Sequence, residues 1–223
     1  MQTNQNHTTI SKKRVLDLFC GTKSIANVFQ SARWETITVD NDPQFSPDIV
    51  IDVLKLDPSV LGTFDVIWAS PPCTAFSVAS IGRHWKKGLP SDEAILGGAL
   101  LGKTLELINI LRPTLWFIEN PRGMMRTLPI MASLPFHTVT YCQYGDTRMK
   151  PTDIWTNASL WVPRPACKNG DSCHVAAPRG ARTGTQGLKG AKERARVPDD
   201  FCKEILGVCE RTLNGGRYDG NDL

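Results

Sequence analysis

The chain has 223 residues, 41% of them apolar and 22% charged, with a net charge of +4, as expected of one globular domain large enough to bury a core. No apolar run approaches bilayer-spanning length, and the polar stretch from Met1 to Ser11 lacks the apolar core of a secretory signal. The seven cysteines are odd in number and unevenly spaced, which excludes a secreted disulfide framework and suits a reducing cytoplasm.

From residue 14 onward, strand-like apolar runs alternate with helix-like ones, the pattern of a doubly wound α/β sheet. Residues 14–20 read as the first strand, followed by a turn at Gly21 and a helix over 24–32. Residues 35–40 give a second strand, 48–52 a short third and 65–70 a fourth. A long helix over 92–111 places Leu100, Leu101, Leu105 and Ile108 on one side. Residues 115–120 and 138–142 read as the fifth and sixth strands. After Trp155 the pattern dissolves into a segment rich in glycine, with eight Lys or Arg between Arg164 and Arg196 against Asp171 and Glu193. It resumes with a terminal helix over about 198–213, for which Pro198 suits the first turn. There is no internal repeat.

The most informative stretch is Ser70-Pro71-Pro72-Cys73-Thr74-Ala75-Phe76-Ser77. It follows a buried-strand run, so it falls at the carboxyl end of a parallel strand, where open α/β sheets place their ligands. Each proline fixes its own φ and restricts the residue before it, which aims the Cys73 thiol. Taken alone, Pro-Pro-Cys equally describes an inert cysteine after a loop. Asp17, Asp40 and Asp52 close the first three strands, and in one crevice their carboxylates would accept hydrogen bonds from ribose hydroxyls and an exocyclic amine. Singly, each also suits a strand-end cap. The turn Phe19-Cys20-Gly21-Thr22-Lys23-Ser24 has one glycine, so a dinucleotide's pyrophosphate cradle is absent and a nucleoside-type cofactor is expected.

Asp17-Leu18-Phe19-Cys20-Gly21, Pro-Pro-Cys-x-x-Phe-Ser at residues 71–77 and Glu119-Asn120-Pro121 come in an order and spacing that resembles the cytosine-5 DNA methyltransferase family. Tyr144-Gly145, Arg148-Met149-Lys150 (similar to the family's Arg-x-Arg) and Arg196-Val197-Pro198 with the helix after it extend the likeness. The resemblance covers about residues 14–157 well and 185–213 weakly. It implies a Rossmann-like methyltransferase fold, with S-adenosylmethionine held by Asp17, Phe19, Cys20, Gly21, Asp40, Asn41, Asp52, Val53 and Pro71. It further implies Cys73 as nucleophile, Glu119 as the residue holding cytosine, and Arg148 beside them. Three departures stand out: Pro121 replaces an apolar residue, Lys23-Ser24 replaces a glycine pair, and no Pro-Gln precedes Arg148.

The chemistry explains these residue types. C5 of cytosine is too weak a nucleophile for a sulfonium methyl, whereas a thiolate added at C6 makes C5 enamine-like. Such a thiolate needs nearby positive charge, for which Arg148 and Lys150 are the candidates. A protonated or proton-sharing Glu119 would hydrogen-bond N3 and accept from the N4 amine. Attack at C6 requires the ring face, so the base must leave the stack.

The expected partner is double-stranded DNA, bound by a monomer without a membrane. Ser77, Arg83, Lys86, Lys87, Asn120 and Lys150 are expected on the DNA side of the site, Asn120 as a brace of the Glu119 loop more than a contact to the base, with Gly82 and Gly88 as hinges of the intervening loop. Arg179, Arg182, Lys189 and Lys192 are expected on phosphates. Cys167, Cys173 and His174 offer three metal ligands, but no fourth is evident beyond the distant Cys202 or Cys209, and no metal is expected. The organisation expected is a tail over 1–12, a catalytic core over 13–157, a short basic recognition segment over 158–195, a helix packing back on the core over 196–214, and a tail over 215–223. The interval from Asn157 to about Gly184 is under thirty residues, too short to build a lobe, which points to a target of about two base pairs. An RNA cytosine methyltransferase, an exocyclic-amine methyltransferase and a non-catalytic nucleic-acid-binding module remain the alternatives.

Overall fold

The computed structural model describes residues 12–78, 80–176, 193 and 195–215. In chain order its elements are β1 (Arg14–Leu18), α1 (Ser24–Ser31), β2 (Glu35–Asp40), β3 (Ile49–Val50) and β4 (Val66–Ala69). There follow α2 (Ile81–His84), β5 (Trp85–Lys86), β6 (Leu89–Pro90), α3 (Asp92–Leu111), β7 (Leu115–Pro121), β8 (Phe136–Thr140), β9 (Pro151–Thr156) and α4 (Asp199–Leu213). Among the described residues one seven-stranded sheet runs β3-β2-β1-β4-β7-β9-β8. The strands from β3 to β7 are parallel, and β9 alone runs antiparallel, between β7 and β8. The expected α/β class, mostly parallel with flanking helices, is the one observed.

The period-two alternation of the strands builds two cores. Val15, Val66, Trp68 and Phe117 face α1 and α4, meeting Ile25, Phe29, Phe201 and Ile205. Leu16, Leu18, Ile67 and Ala69 face the other way, toward Leu107 of α3. In α4 the buried residues Phe201, Cys202, Ile205, Val208 and Cys209 recur at helical spacing, and that stripe is what docks the helix.

Several boundaries differ from expectation for local reasons. β1 stops at Leu18 because Phe19 takes a left-handed φ of 58°. The third strand shrinks to two residues. The sixth ends at Thr140, and Tyr141–Tyr144 form a 3-10 turn, so Cys142 is not in a strand. β9 was not expected, because it opens with a proline and carries polar residues; its pairing on both sides decides it. Pro198 precedes α4 rather than lying within it. By length and apolar composition α3 does suffice to cross a bilayer, contrary to expectation; here it is the helix that buries Leu101, Thr104 and Leu107 against the sheet.

Candidate active site

β4 delivers the chain to the turn that carries Cys73. The Ser70 amide donates to the Leu18 carbonyl at 3.1 Å, and Trp68 Nε1 donates to Ser70 Oγ at 2.8 Å. Beyond the two prolines, the Phe76 and Ser77 amides both donate to the Cys73 carbonyl, at 3.0 and 2.9 Å, which closes the turn with Cys73 exposed. Trp85 of β5 clamps it from outside, its Nε1 donating to the Ala75 carbonyl at 2.8 Å.

Glu119 stands on β7, two residues after Phe117 and so on the same face of the sheet. It is buried, and Tyr141 Oη donates to its Oε1 at 3.0 Å. Burial raises its pKa above the ordinary carboxylate value and nearby Asp153 adds to this, while Lys150, Tyr141 and Ser70 oppose it. A carboxyl biased toward its protonated form is what donation to a ring nitrogen requires. Lys150 Nζ lies 4.6 Å from the centre of the Tyr141 ring. Burial and Arg148 lower the pKa of this lysine, whereas Glu119, Cys73 and Asp146 favour its charged form. Its backbone holds a φ of 29°, a conformation uncommon for a lysine. Arg148, by contrast, is buried and clasped by Asp146, its Nε at 2.9 Å from Oδ1 and its Nη2 on Oδ2. Lys150 is thus a cation whose charge acts on both Glu119 and Cys73. Tyr141, which donates to Glu119, is a contact that sequence reasoning missed.

Asn120 follows Glu119 and therefore points through the other face of the sheet. It is fully buried and donates from Nδ2 to the Pro71 carbonyl at 2.9 Å, so it does not lie on the DNA side as expected but braces the Cys73 turn. Ser77 bridges to Gly123 across the same gap, and Ser77 Oγ lies 2.8 Å from Ser80 Oγ. Met124 N–H donates to the Phe76 carbonyl at 2.7 Å. A Cβ on Gly123 would sit 2.1 Å from that carbonyl oxygen, so only glycine lets the Glu119 and Cys73 loops close on each other. This residue, too, was missed.

The cofactor candidates surround the carboxyl ends of β1 to β3, but not in one register. Asp17 lies opposite Thr38, so Asp40 is two residues farther along the sheet. Asp17 is 2% exposed and accepts from the Ala26 amide of α1 at 3.3 Å, and burial raises its pKa to about 7. It is a helix-start residue beneath the crevice rather than one presented to a ligand, because its strand position faces α1. Asp40 accepts from the Gly21 amide at 2.9 Å and the Asp42 amide at 2.9 Å, tying the end of β2 to the β1 turn. Asp52 accepts from the Leu54 amide at 3.0 Å as a turn cap. Asn41 is exposed, Phe19 partly so, and Val53 and Pro71 are buried. Cys20 is buried, with its thiol pushed up to about 12 by burial, Asp17 and Asp40. A separate cleft of about 290 Å³ lies between Thr22, Ser24 and Asn27 on one side and Arg196, Val197 and Asp199 on the other.

Arg83, Lys86 and Lys87 are exposed on the segment that follows the Cys73 turn. Lys87 and Gly88, at φ 52° and 80°, make the β5–β6 hairpin turn, and Gly82 lies inside α2. Arg179, Arg182, Lys189 and Lys192 lie outside the described residues. Cys167, Cys173 and His174 do come together, and a fourth ligand-type atom joins them: Cys142 Sγ, all within 4.8 Å of one another. Cys202 and Cys209, the fourth ligands considered from sequence, are instead buried in the apolar stripe of α4.

Residues 13–128 match the family model described as C-5 cytosine-specific DNA methylase. The chain is similar to a protein of Frog virus 3 (isolate Goorha) described as a probable DNA (cytosine-5)-methyltransferase, 34% identical over 222 residues spanning 88% of this chain and 100% of the relative. Among solved structures it is similar to S. pombe Dnmt2 methyltransferase (14% identity, TM-score 0.48, 65% of this chain, 49% of that one). It is also similar to the Entamoeba histolytica methyltransferase EhMeth (12% identity, TM-score 0.49, 70% and 57%). The chain thus spans about half the length of these solved proteins.

Proposed function

The chain belongs to the C-5 cytosine-specific DNA methylase family, and from that premise we propose that Cys73 and Glu119 are the groups that act on a cytosine. Its activity is that of a DNA (cytosine-5-)-methyltransferase. The observation that carries the residue assignment is the joining of two loops: the exposed Cys73 turn and the Glu119 strand end are bound to each other through Asn120–Pro71 and Met124–Phe76.

Cys73, as thiolate, adds to C6 of a base turned out of double-stranded DNA, and the Lys150 ammonium stabilises the thiolate before attack. Glu119, kept toward its protonated form by burial and aimed by Tyr141, donates to N3 and accepts from the N4 amine, drawing charge from the ring as C6 is attacked. S-adenosylmethionine, when bound, supplies the electrophilic methyl that C5 takes up. The donor set suits it. Asp40 and Asp52 can each accept further bonds from hydroxyls, their charge favours a sulfonium, and the single Gly21 provides no phosphate cradle. Loss of the C5 proton then expels Cys73. Arg83, Lys86 and Lys87 contact phosphates, the protein acts as a cytoplasmic monomer, and residues 158–195 form its recognition segment. That segment reads a target of about two base pairs, since each bidentate contact discriminates by only about 1–3 kcal/mol.

Bisulfite sequencing of duplex DNA methylated by the purified chain tests both activity and target length. Cys73→Ala should abolish methylation while S-adenosylmethionine binding, measured by calorimetry, persists; full activity in that variant overturns the covalent route. DNA carrying 5-fluorocytosine should trap wild type as a denaturation-resistant adduct, because the C5 fluorine cannot leave as a proton does.

A further inference from the structure

We propose that Cys142, Cys167, Cys173 and His174 form a structural zinc site that fastens the segment after β9 to the floor of the Glu119 pocket. The four ligand atoms come from two parts of the chain. Cys142 sits in the 3-10 turn after β8, next to Tyr141, and the others follow β9 within eight residues of one another. Zinc bonds of about 2.3 Å to sulfur and 2.0–2.1 Å to nitrogen give tetrahedral edges of about 3.8 Å between sulfurs and 3.5 Å from sulfur to nitrogen. The separations are 3.6 Å for Cys142–Cys173, 3.7 Å for Cys167 Sγ to His174 Nδ1, and 3.5 Å for Cys173 Sγ to His174 Nδ1. Cys142 and Cys167, at 3.0 Å, need to part slightly, and they stand well beyond the roughly 2.05 Å of a disulfide.

The surroundings are those of a ligand loop. The Cys167 amide donates to Thr140 Oγ1 at 3.0 Å, and the Val175 amide donates to the Thr147 carbonyl at 2.9 Å, so the loop is pinned at both ends to the turn that bears Cys142. Between the ligands, Asp171 Oδ2 accepts from the Lys168 amide at 2.6 Å, and the Asp171 amide donates back to the Lys168 carbonyl at 3.1 Å. Gln143 Nε2 donates to Cys173 Sγ at 3.4 Å, a contact that offsets thiolate charge. Zinc on Nδ1 puts the imidazole proton on Nε2, so the Gly170 amide at 3.4 Å from Nε2 becomes a packing neighbour rather than a donor to it. Three thiolates and an imidazole select zinc over oxygen-seeking divalent cations, and four protein ligands leave no open position, so the ion holds structure and takes no part in methyl transfer. It ties residues 157–176, which lead into the basic stretch, to the residue beside Tyr141.

The test is metal content, which is independent of any methylation assay. The full chain, purified under reducing conditions without chelator, should carry one zinc by mass spectrometry, and cobalt should replace it with tetrahedral d–d bands and thiolate-to-cobalt charge transfer. Cys173→Ser and His174→Ala should each lose zinc to a competing chelator at least about tenfold more readily than wild type, whereas Cys73→Ala, outside the cluster, should hold it as wild type does. Should either ligand variant fail to fold, zinc-stripped and reloaded wild type supply the comparison: reloading should restore protection of residues 157–176 from proteolysis. Reduced wild type that takes up no zinc, a Cys142–Cys167 disulfide in freshly purified protein, or a Cys173→Ser variant that keeps zinc as tightly as wild type would overturn the proposal.

Discussion

Asn120 Nδ2 donates to the Pro71 carbonyl at 2.9 Å across a separation of 49 residues, and its own Oδ1 is buried without a hydrogen-bond partner. One side chain thus connects the strand that carries Glu119 to the turn that carries Cys73. Because successive side chains on a strand point to opposite faces, Glu119 and Asn120 leave β7 on opposite sides, Glu119 meeting Tyr141 and Asn120 the Cys73 turn.

Asn120→Ala should therefore act as loss of a positioning residue. Stability should fall by about 1–3 kcal/mol, the usual cost of leaving a buried acceptor unpaired. Turnover should drop severalfold with little change in KM for DNA, since Asn120 does not reach the duplex. Steady-state kinetics with thermal melting checks this, and unchanged kcat would remove the brace from the mechanism.

Gly123→Ala should cost at least about 1–3 kcal/mol, because its Cβ meets the fixed Phe76 carbonyl at 2.1 Å rather than a movable side chain. Gly82→Ala is the control: nothing lies within 4 Å of its Cβ, and alanine is the better helix former by about 1 kcal/mol. Melting temperatures of the two variants should move in opposite directions.

Asp17 gives stability a pH dependence of defined sign. Its folded-state pKa, about 7, lies above the ordinary 3.8, chiefly through burial. The folded protein thus binds the proton more tightly; this contribution is complete below the ordinary value and is lost as pH rises through about 7. Asp17→Asn keeps an acceptor for the Ala26 amide and removes the titration. Relative to wild type, the variant should gain on the order of 4 kcal/mol between pH 4 and pH 8. Denaturant melts at three pH values decide it, and a pH-independent difference would show that Asp17 is not buried as described.

Asp40→Ala should weaken S-adenosylmethionine binding by about 1.5–3 kcal/mol, the range for charge-assisted hydrogen bonds. Part of that loss arises indirectly, because Asp40 also holds the Gly21 amide. An unchanged dissociation constant by calorimetry would move the cofactor away from the end of β2.

The comparison between residues near in sequence and residues near in space is instructive at Tyr141 and Lys150. Lys150 was legible as a candidate cation, but Tyr141 did not read as a partner of Glu119, because β9, which separates β8 from β7, opens with Pro151 and lacks apolar alternation. Its place between β7 and β8 comes from hydrogen bonding on both edges, a non-local condition. Asp17, Asp40 and Asp52 show the converse. Their strand-end positions were legible, but which carboxylates were already engaged by backbone amides was not.

Local physics alone determined most of the alternating strands and helices and the rigid Pro71-Pro72 turn presenting Cys73, since these follow from φ restriction and hydrophobic period, whereas the pairing of that thiol with a distant Glu119 came from the resemblance to the family. Only the tertiary structure decided that Lys150 carries charge toward both Glu119 and Cys73, that Asn120 reaches the Pro71 carbonyl, and that Cys142 joins a cluster with Cys167, Cys173 and His174. Each of those outcomes depends on which way a side chain points once sheet register and burial are set, and register is a property of paired strands rather than of any one segment.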